Sequence, residues 1–238
     1  MIWFGSRANL AKISSRDCSV QVGSDVIKPS AVVRDLGVQL DSELTMKRHV
    51  AMVAASCFYH LRRLRQIRRR AGKEVTIQLV IAFITSRLDY CNSVLAGLPQ
   101  VTLEPLQRVQ NAAVRLILEL NMRDRVTLGL YQLHWLPIRW RIQFKLCSIM
   151  HSVHVGRCPA YMADCVRTVA SSATRSGLRS AETTLYVTPW LKSKFGERAF
   201  SHAGPVAWNS LPPELHGIVD SVAFKKRLKT HFFNLAFT

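Results

Sequence analysis

Acidic residues are scarce in this chain, with 15 Asp and Glu against 33 Lys and Arg and a formal charge of +18. A mixed-sign surface is the usual way to stay soluble. A surplus this large instead predicts strong, salt-sensitive attraction to polyanions, nucleic acid first and anionic membrane surfaces second. Apolar runs are short as well. The longest, residues 75–84, is interrupted by Thr76 and Gln78, and it falls well below the ~20 residues of a membrane span. Six cysteines are scattered without a C-x-x-C pair, and Met1-Ile2-Trp3-Phe4 runs at once into Gly5-Ser6-Arg7 rather than into a secretory leader. Reduced thiols and a nuclear or cytoplasmic setting, not secretion, are therefore expected. The chain has no adjacent Asp-Asp pair, no G-x-G-x-x-G, no Walker loop, no H-E-x-x-H and no G-x-S-x-G. Those absences leave no recognisable catalytic constellation.

Hydrophobic residues at 48% and charged residues at 20% describe a chain that folds. Met1-Ile2-Trp3-Phe4 reads as a buried strand. Val20-Gln21-Val22, a Gly23-Ser24-Asp25 turn and Val26-Ile27-Lys28 follow, then a strand-like run over 32–41. Beyond these, helical periodicity dominates. Thr45 is a plausible N-cap for a helix carrying Val50, Val53, Cys57, Leu61 and Leu64, with Gly72 placed to end it. Further helices are expected over 73–95, over 103–120 with Pro105 in the first turn, over 137–155, and over 221–234 at the end. The fold class is mainly α. A short, incomplete β section at 1–44 precedes a helical bundle at 45–167. A Ser/Thr/Arg-rich linker, 168–182, then opens a small α+β section that runs to 238.

Nine basic residues and no acid lie between Thr45 and Lys73. At 100° per residue, Arg62, Arg65 and Arg69 cluster on one side, with Arg63 and Arg70 flanking and Lys73 beyond. Such a helix, with its apolar face in the core, is suited to lie along a phosphate backbone and release counterions. The plainer alternative is a solvated face. A nuclear-import signal over 62–73 is compatible with either. Lys225, Lys226, Arg227 and Lys229 form a second, weaker basic set.

Cys147, His151, His154 and Cys158 share one helical face and are weak candidates for zinc. That spacing is also a core stripe, and on a straight helix it covers about 16 Å, too far for one ion. No metal or cofactor is therefore assigned. Asp89 is expected to pair with Arg87 or another neighbour. His134-Trp135 and Trp208-Asn209 have the chemistry to stack bases, although packing is the commoner use of such residues.

Several blocks carry a family resemblance. Thr85-Ser86-Arg87-Leu88-Asp89-Tyr90-Cys91-Asn92 with Ala96-Gly97-Leu98-Pro99, Leu106-Gln107-Arg108-Val109-Gln110-Asn111-Ala112-Ala113 and Leu133-His134-Trp135-Leu136-Pro137-Ile138 are three of them. Arg141-Ile142-Gln143-Phe144-Lys145, Gly196-Glu197-Arg198-Ala199-Phe200-Ser201, Pro205-Val206-Ala207-Trp208-Asn209-Ser210-Leu211-Pro212 and residues 224–232 are the others. In this order they resemble the region after the polymerase core of LINE-type non-LTR retrotransposon reverse transcriptases, the jockey and chicken-repeat group. Arg125-Val126-Thr127-Leu128 departs from that pattern. The resemblance implies that Met1 to Ser6 is the end of a palm and that the Leu36-Gly37-Val38 turn belongs to a primer grip. It also implies that the helices from Thr45 form a thumb on a template–primer duplex. The fingers and the Asp-Asp loop that holds two Mg²⁺ would lie ahead of residue 1. On this view the chain is a non-catalytic part of an RNA-directed DNA polymerase that binds RNA or DNA without sequence choice. A structural or protein-interaction role is the alternative.

Overall fold

The computed structural model describes residues 1–13, 18–171 and 183–238. Met1 to Phe4 is neither strand nor buried. It is irregular, with Trp3 45% and Phe4 46% exposed, and it leads into α1 (Arg7–Ile13). Apolar composition alone suggested burial there, but among the described residues no paired strand lies alongside to provide it. Two separate antiparallel hairpins follow, β1 (Val20–Val22) with β2 (Asp25–Ile27) and β3 (Val32–Asp35) with β4 (Val38–Asp41). Leu36 and Gly37, at φ 43° and 83°, form the two-residue loop of the second. Positive φ at both central residues is what a right-twisted hairpin loop requires. The Tyr90 hydroxyl donates to the Leu36 carbonyl at 2.6 Å and ties this loop to the helices.

The first long helix starts after left-handed Met46 rather than Thr45, and Met46 caps it with no side-chain hydrogen bond. The Thr45 hydroxyl accepts from the Lys47 backbone N–H at 3.5 Å, and Asp41 holds the two residues ahead of the helix. The Asp41 carboxylate accepts from the Thr45 and Met46 backbone N–H groups at 2.7 and 2.9 Å and from the Thr45 hydroxyl at 3.1 Å. Helix α2 (Lys47–Val80) then buries Val50, Ala54, Cys57, Leu61 and Leu64. It breaks at Gly72, where φ 74° and ψ 174° lie in a region only glycine enters readily. A π-helical turn (Ile81–Thr85) and the short α3 (Ser86–Asp89) continue the second segment. It ends at Asp89, because Tyr90 is extended and Cys91 left-handed, and a 3₁₀ turn (Asn92–Leu95) replaces the expected helical end.

Helix α4 (Gln100–Leu118) begins three residues before its expected start, on Pro99, so Pro105 falls inside the helix rather than in its first turn. It packs along α2 and along α5 (Val126–Gln132), an element that periodicity did not announce. Helix α6 (Ile138–His154) starts after Pro137 as expected. After α7 (Ala160–Ala163), Thr168 and Tyr186 form an antiparallel bridge, and residues 172–182 of the expected linker lie outside the described residues. Helices α8 (Phe200–Asn209), α9 (Pro213–His216) and α10 (Ser221–Phe237) complete the chain, the last capped by the Asp220 side chain at 2.7 Å. The fold is mainly helical with a few short antiparallel strands.

The larger apolar core draws on residues from Val38 to Phe232 and includes fully buried Trp208, and Val114, Val126 and Leu130 form a second, smaller one. The Trp208 indole donates to the Thr184 carbonyl at 3.0 Å and is ringed by His154, His216, Tyr186 and Phe224. Asn209 exchanges hydrogen bonds with the Tyr186 backbone at 2.7 and 3.0 Å. Trp208-Asn209 is therefore a packing unit and not a stacking surface.

Two predictions follow from the fold. Replacing Gly72 with Ala costs about 1–3 kcal/mol through its backbone conformation alone, measurable by urea unfolding. Burial also holds His49 and His154 below their ordinary value of 6.5, and neighbouring His216 and His151 add to the effect at His154. The unfolded chain then binds more protons below pH 6.5, so stability is full above that value and declines as pH falls beneath it. The thermal midpoint should be flat from about pH 8 to about pH 7 and fall towards about pH 5.

Candidate nucleic-acid interface

The arginine-rich stretch lies on the last turns of α2 before the Gly72 break. Taking Arg62 as zero, the buried residues Leu61 and Leu64 point to about 260° and 200°. Arg62, Arg65 and Arg69 lie between about 300° and 0°, on the shoulder of that face, while Arg63 and Arg70 lie near 80–100°, almost opposite it. All five, and Lys73, are exposed, and none is in an ion pair among the described residues. Ile67, at about 140°, is 46% exposed, so it does not extend the apolar face with Leu61 and Leu64.

The stems of Arg62 and Arg65 lie with Phe58, Leu61, Ala112 and Leu116 along a shallow groove of about 180 Å³ between α2 and α4. Long basic side chains commonly cover apolar surface in this way while holding the charge in water. Arg63 donates to the Tyr59 hydroxyl at 2.9 Å, with its guanidinium 5.7 Å from the Tyr59 ring centroid. Sequence reasoning missed this arginine–aromatic pair, although its i, i+4 spacing was there to read.

Arg68 behaves differently from its neighbours. At about 240° it points into the buried face. It donates to the Leu116 and Ile117 carbonyls at 2.8 and 3.0 Å and pairs with the Glu119 carboxylate. It thus closes the end of α4, where carbonyls lack helical partners. One arginine of the cluster is structural, and the rest face outward.

The second basic set is less focused. Lys225, Lys226, Arg227 and Lys229 are all exposed, but they fan over about 200° of α10. Phe224, Leu228 and Phe232 hold the buried side of that helix.

The zinc candidates do not converge. Cys147 and His151 are fully buried in the core, Cys147 donating to the Ala207 carbonyl at 3.5 Å and His151 Nε2 lying 2.7 Å from the Ile218 carbonyl. Burial pushes the Cys147 thiol up to about 12, which favours its protonated form over a ligating thiolate. His154 reaches the Tyr186 hydroxyl at 3.4 Å. No group of three or more potential ligands converges among the described residues. Cys147 and His151 belong to the core stripe of α6, whereas half-buried His154 is its last residue and half-buried Cys158 lies beyond the helix end.

Asp89 finds a distant partner rather than Arg87. Both its oxygens accept from Arg141 Nη1, at 2.7 and 2.9 Å, while Arg87 donates to the Phe83 carbonyl at 2.8 Å. No helix among the described residues is long and apolar enough to cross a membrane.

Replacing Arg68 with Met should cost about 1.5–3 kcal/mol in denaturant unfolding, the range for hydrogen bonds made by a charged donor. The same change at exposed Arg69 should leave stability within about 0.5 kcal/mol. Comparisons of the chain with protein-family models, curated proteins and solved structures returned no match.

Proposed function

We propose that this chain is a non-catalytic part of a LINE-type RNA-directed DNA polymerase that grips the backbone of an RNA or DNA template–primer through α2. The observation that carries the reading is the group of five exposed guanidiniums, Arg62, Arg63, Arg65, Arg69 and Arg70, on one helix without acidic partners among the described residues. An exposed cation gains little from a single surface partner. Several on one helix can neutralise phosphates together and release condensed counterions. The net charge of +18 adds long-range attraction. Sequence-independent binding follows, because phosphate contacts carry no base information.

The family resemblance of residues 85–92 with 96–99, 106–113, 133–138, 141–145, 196–201, 205–212 and 224–232 supports the polymerase assignment, with α2 and its neighbours in the role of a thumb. Catalysis is not assigned. Two-metal phosphoryl transfer needs clustered carboxylates, and the sequence offers no adjacent Asp pair. Any Mg²⁺ site and the fingers would belong to the rest of the polymerase, and the setting would be nuclear or cytoplasmic.

The test is the salt dependence of binding to a labelled RNA–DNA duplex. Changing Arg62, Arg65 and Arg69 together to Gln should flatten the slope of log affinity against log salt by roughly 2–3, since each neutralised phosphate contributes about 0.9. An unchanged slope removes α2 from the interface. Negligible affinity of the wild-type chain at physiological salt points instead to a structural or protein-interaction role.

A further inference from the structure

Two aromatic side chains beside the arginine cluster lie open to solvent, Tyr59 at 49% and Phe83 at 39%. Tyr59 stands on α2 four residues before Arg63, at about 60° with Arg62 as zero, and so away from buried Leu61 and Leu64. Phe83 is the middle residue of the π-helical turn, a rare backbone form that recurs at functional sites. Half-buried His60 touches both. Its ring meets Tyr59 edge-on at 5.4 Å and stacks on Phe83 at 5.3 Å. On one unbroken helix His60 and Phe83 would stand about 35 Å apart. The break at Gly72 lets the second segment fold back and bring them together.

The charge around these rings has one sign. Arg63 donates to the Tyr59 hydroxyl, and Arg87 donates to the Phe83 carbonyl at 2.8 Å. Desolvation, and then the charges of Arg87 and Arg63, hold His60 below its ordinary value of 6.5, so its ring feels both guanidiniums. Neither arginine is in an ion pair among the described residues. Between Thr45 and Leu88 the only acid is Glu74. An occupant suited to this patch carries negative charge and flat apolar surface together. A duplex offers the charge, but its bases are stacked on one another and turn only their edges outward. An unpaired strand has free base faces strung along a phosphate chain.

We propose that this flank of α2 binds an unpaired stretch of RNA or DNA, its bases stacking on Tyr59 and Phe83 and its phosphates drawn to Arg63 and Arg87. The inference rests on the nucleic-acid reading of α2 and adds a second ligand to it, a single strand besides the duplex. Every base has a π-face, so the patch selects for unpairedness and not for sequence.

The test compares a labelled oligo(dT) strand with an abasic strand of the same length and charge, by fluorescence anisotropy on the full chain. The base-bearing strand should bind at least about tenfold more tightly. Tyr59→Leu with Phe83→Leu should bring the two affinities together, and each single change should give part of that loss. Blunt-duplex affinity and the salt slope should stay as in wild type, because no charge is removed. Tyr59→Phe and Phe83→Tyr keep the rings and should keep the preference, which separates stacking from any structural part these residues play. Equal affinity for the two strands in wild type, or a preference that survives the paired Leu change, overturns the inference. Duplex binding with no binding of either strand, the outcome expected if the patch serves a protein partner, also overturns it and leaves the duplex grip standing. A preference for bases alongside an unchanged duplex salt slope in the Arg62/Arg65/Arg69→Gln variant supports the patch and removes that grip.

Discussion

Arg141 is the side chain on which the order of this fold most depends. Its Nη1 is held by both oxygens of Asp89, 52 residues earlier, and its Nε donates to the Leu136 carbonyl at 3.1 Å. The same carbonyl accepts from Gln110 at 2.8 Å, and Gln110 in turn accepts from Gln107 at 3.0 Å. Gln107 also reaches Asn111 and accepts the backbone N–H of Ile138, the first residue of α6. One half-buried guanidinium thus joins the end of α3, the middle of α4 and the start of α6. Removing a partner from such a network leaves desolvated groups uncompensated, which is costlier than the bond itself is favourable.

Four of the sequence blocks that carry the family resemblance meet in this network. Asp89 belongs to the first, Gln107, Gln110 and Asn111 to the second, Leu136 and Ile138 to the third and Arg141 to the fourth. A fifth ties the far end of the chain to its start, because Arg198 donates to the Glu43 carbonyl at 3.0 Å and also to that of Leu44. Trp208 and Asn209, from a sixth, anchor the C-terminal helices. Unrelated requirements at single junctions thus account for residues that are far apart in the chain and polar where apolar ones would suffice.

Elements set by local chemistry were legible in the sequence. The Gly72 break and the Pro137 start of α6 follow from backbone restrictions, and the first long helix from its apolar spacing. What failed was non-local. Met1 to Phe4 was read as buried because its residues are apolar, yet burial needs a partner surface that composition cannot supply. Asp89 was assigned a neighbour because sequence distance is the only distance a sequence shows, and Arg141 lies in another helix. The end of the second helix was overrun because Leu95 keeps the apolar period while Cys91, at φ 50°, has left the helix. Of the candidate interface, the exposure of Arg62 to Arg70 was legible from helical angles. The exception, Arg68, was written in the same angles and went unread. The pairing of His60 with Phe83 was not legible, since it forms across the Gly72 break.

The glycine break sets the C-terminal limit of the arginine cluster on α2. Arg62 and Arg70 are eight steps apart, about 12 Å along the axis, and beyond Gly72 the backbone leaves that line. A duplex lying parallel carries about seven phosphate charges over such a length, both strands counted. Five guanidiniums over that length make a short, dense footprint of roughly one-third of a helical turn. Longer reach along α2 falls to Lys47 and Arg48, both exposed, with Arg48 fourteen steps, about 21 Å, ahead of Arg62.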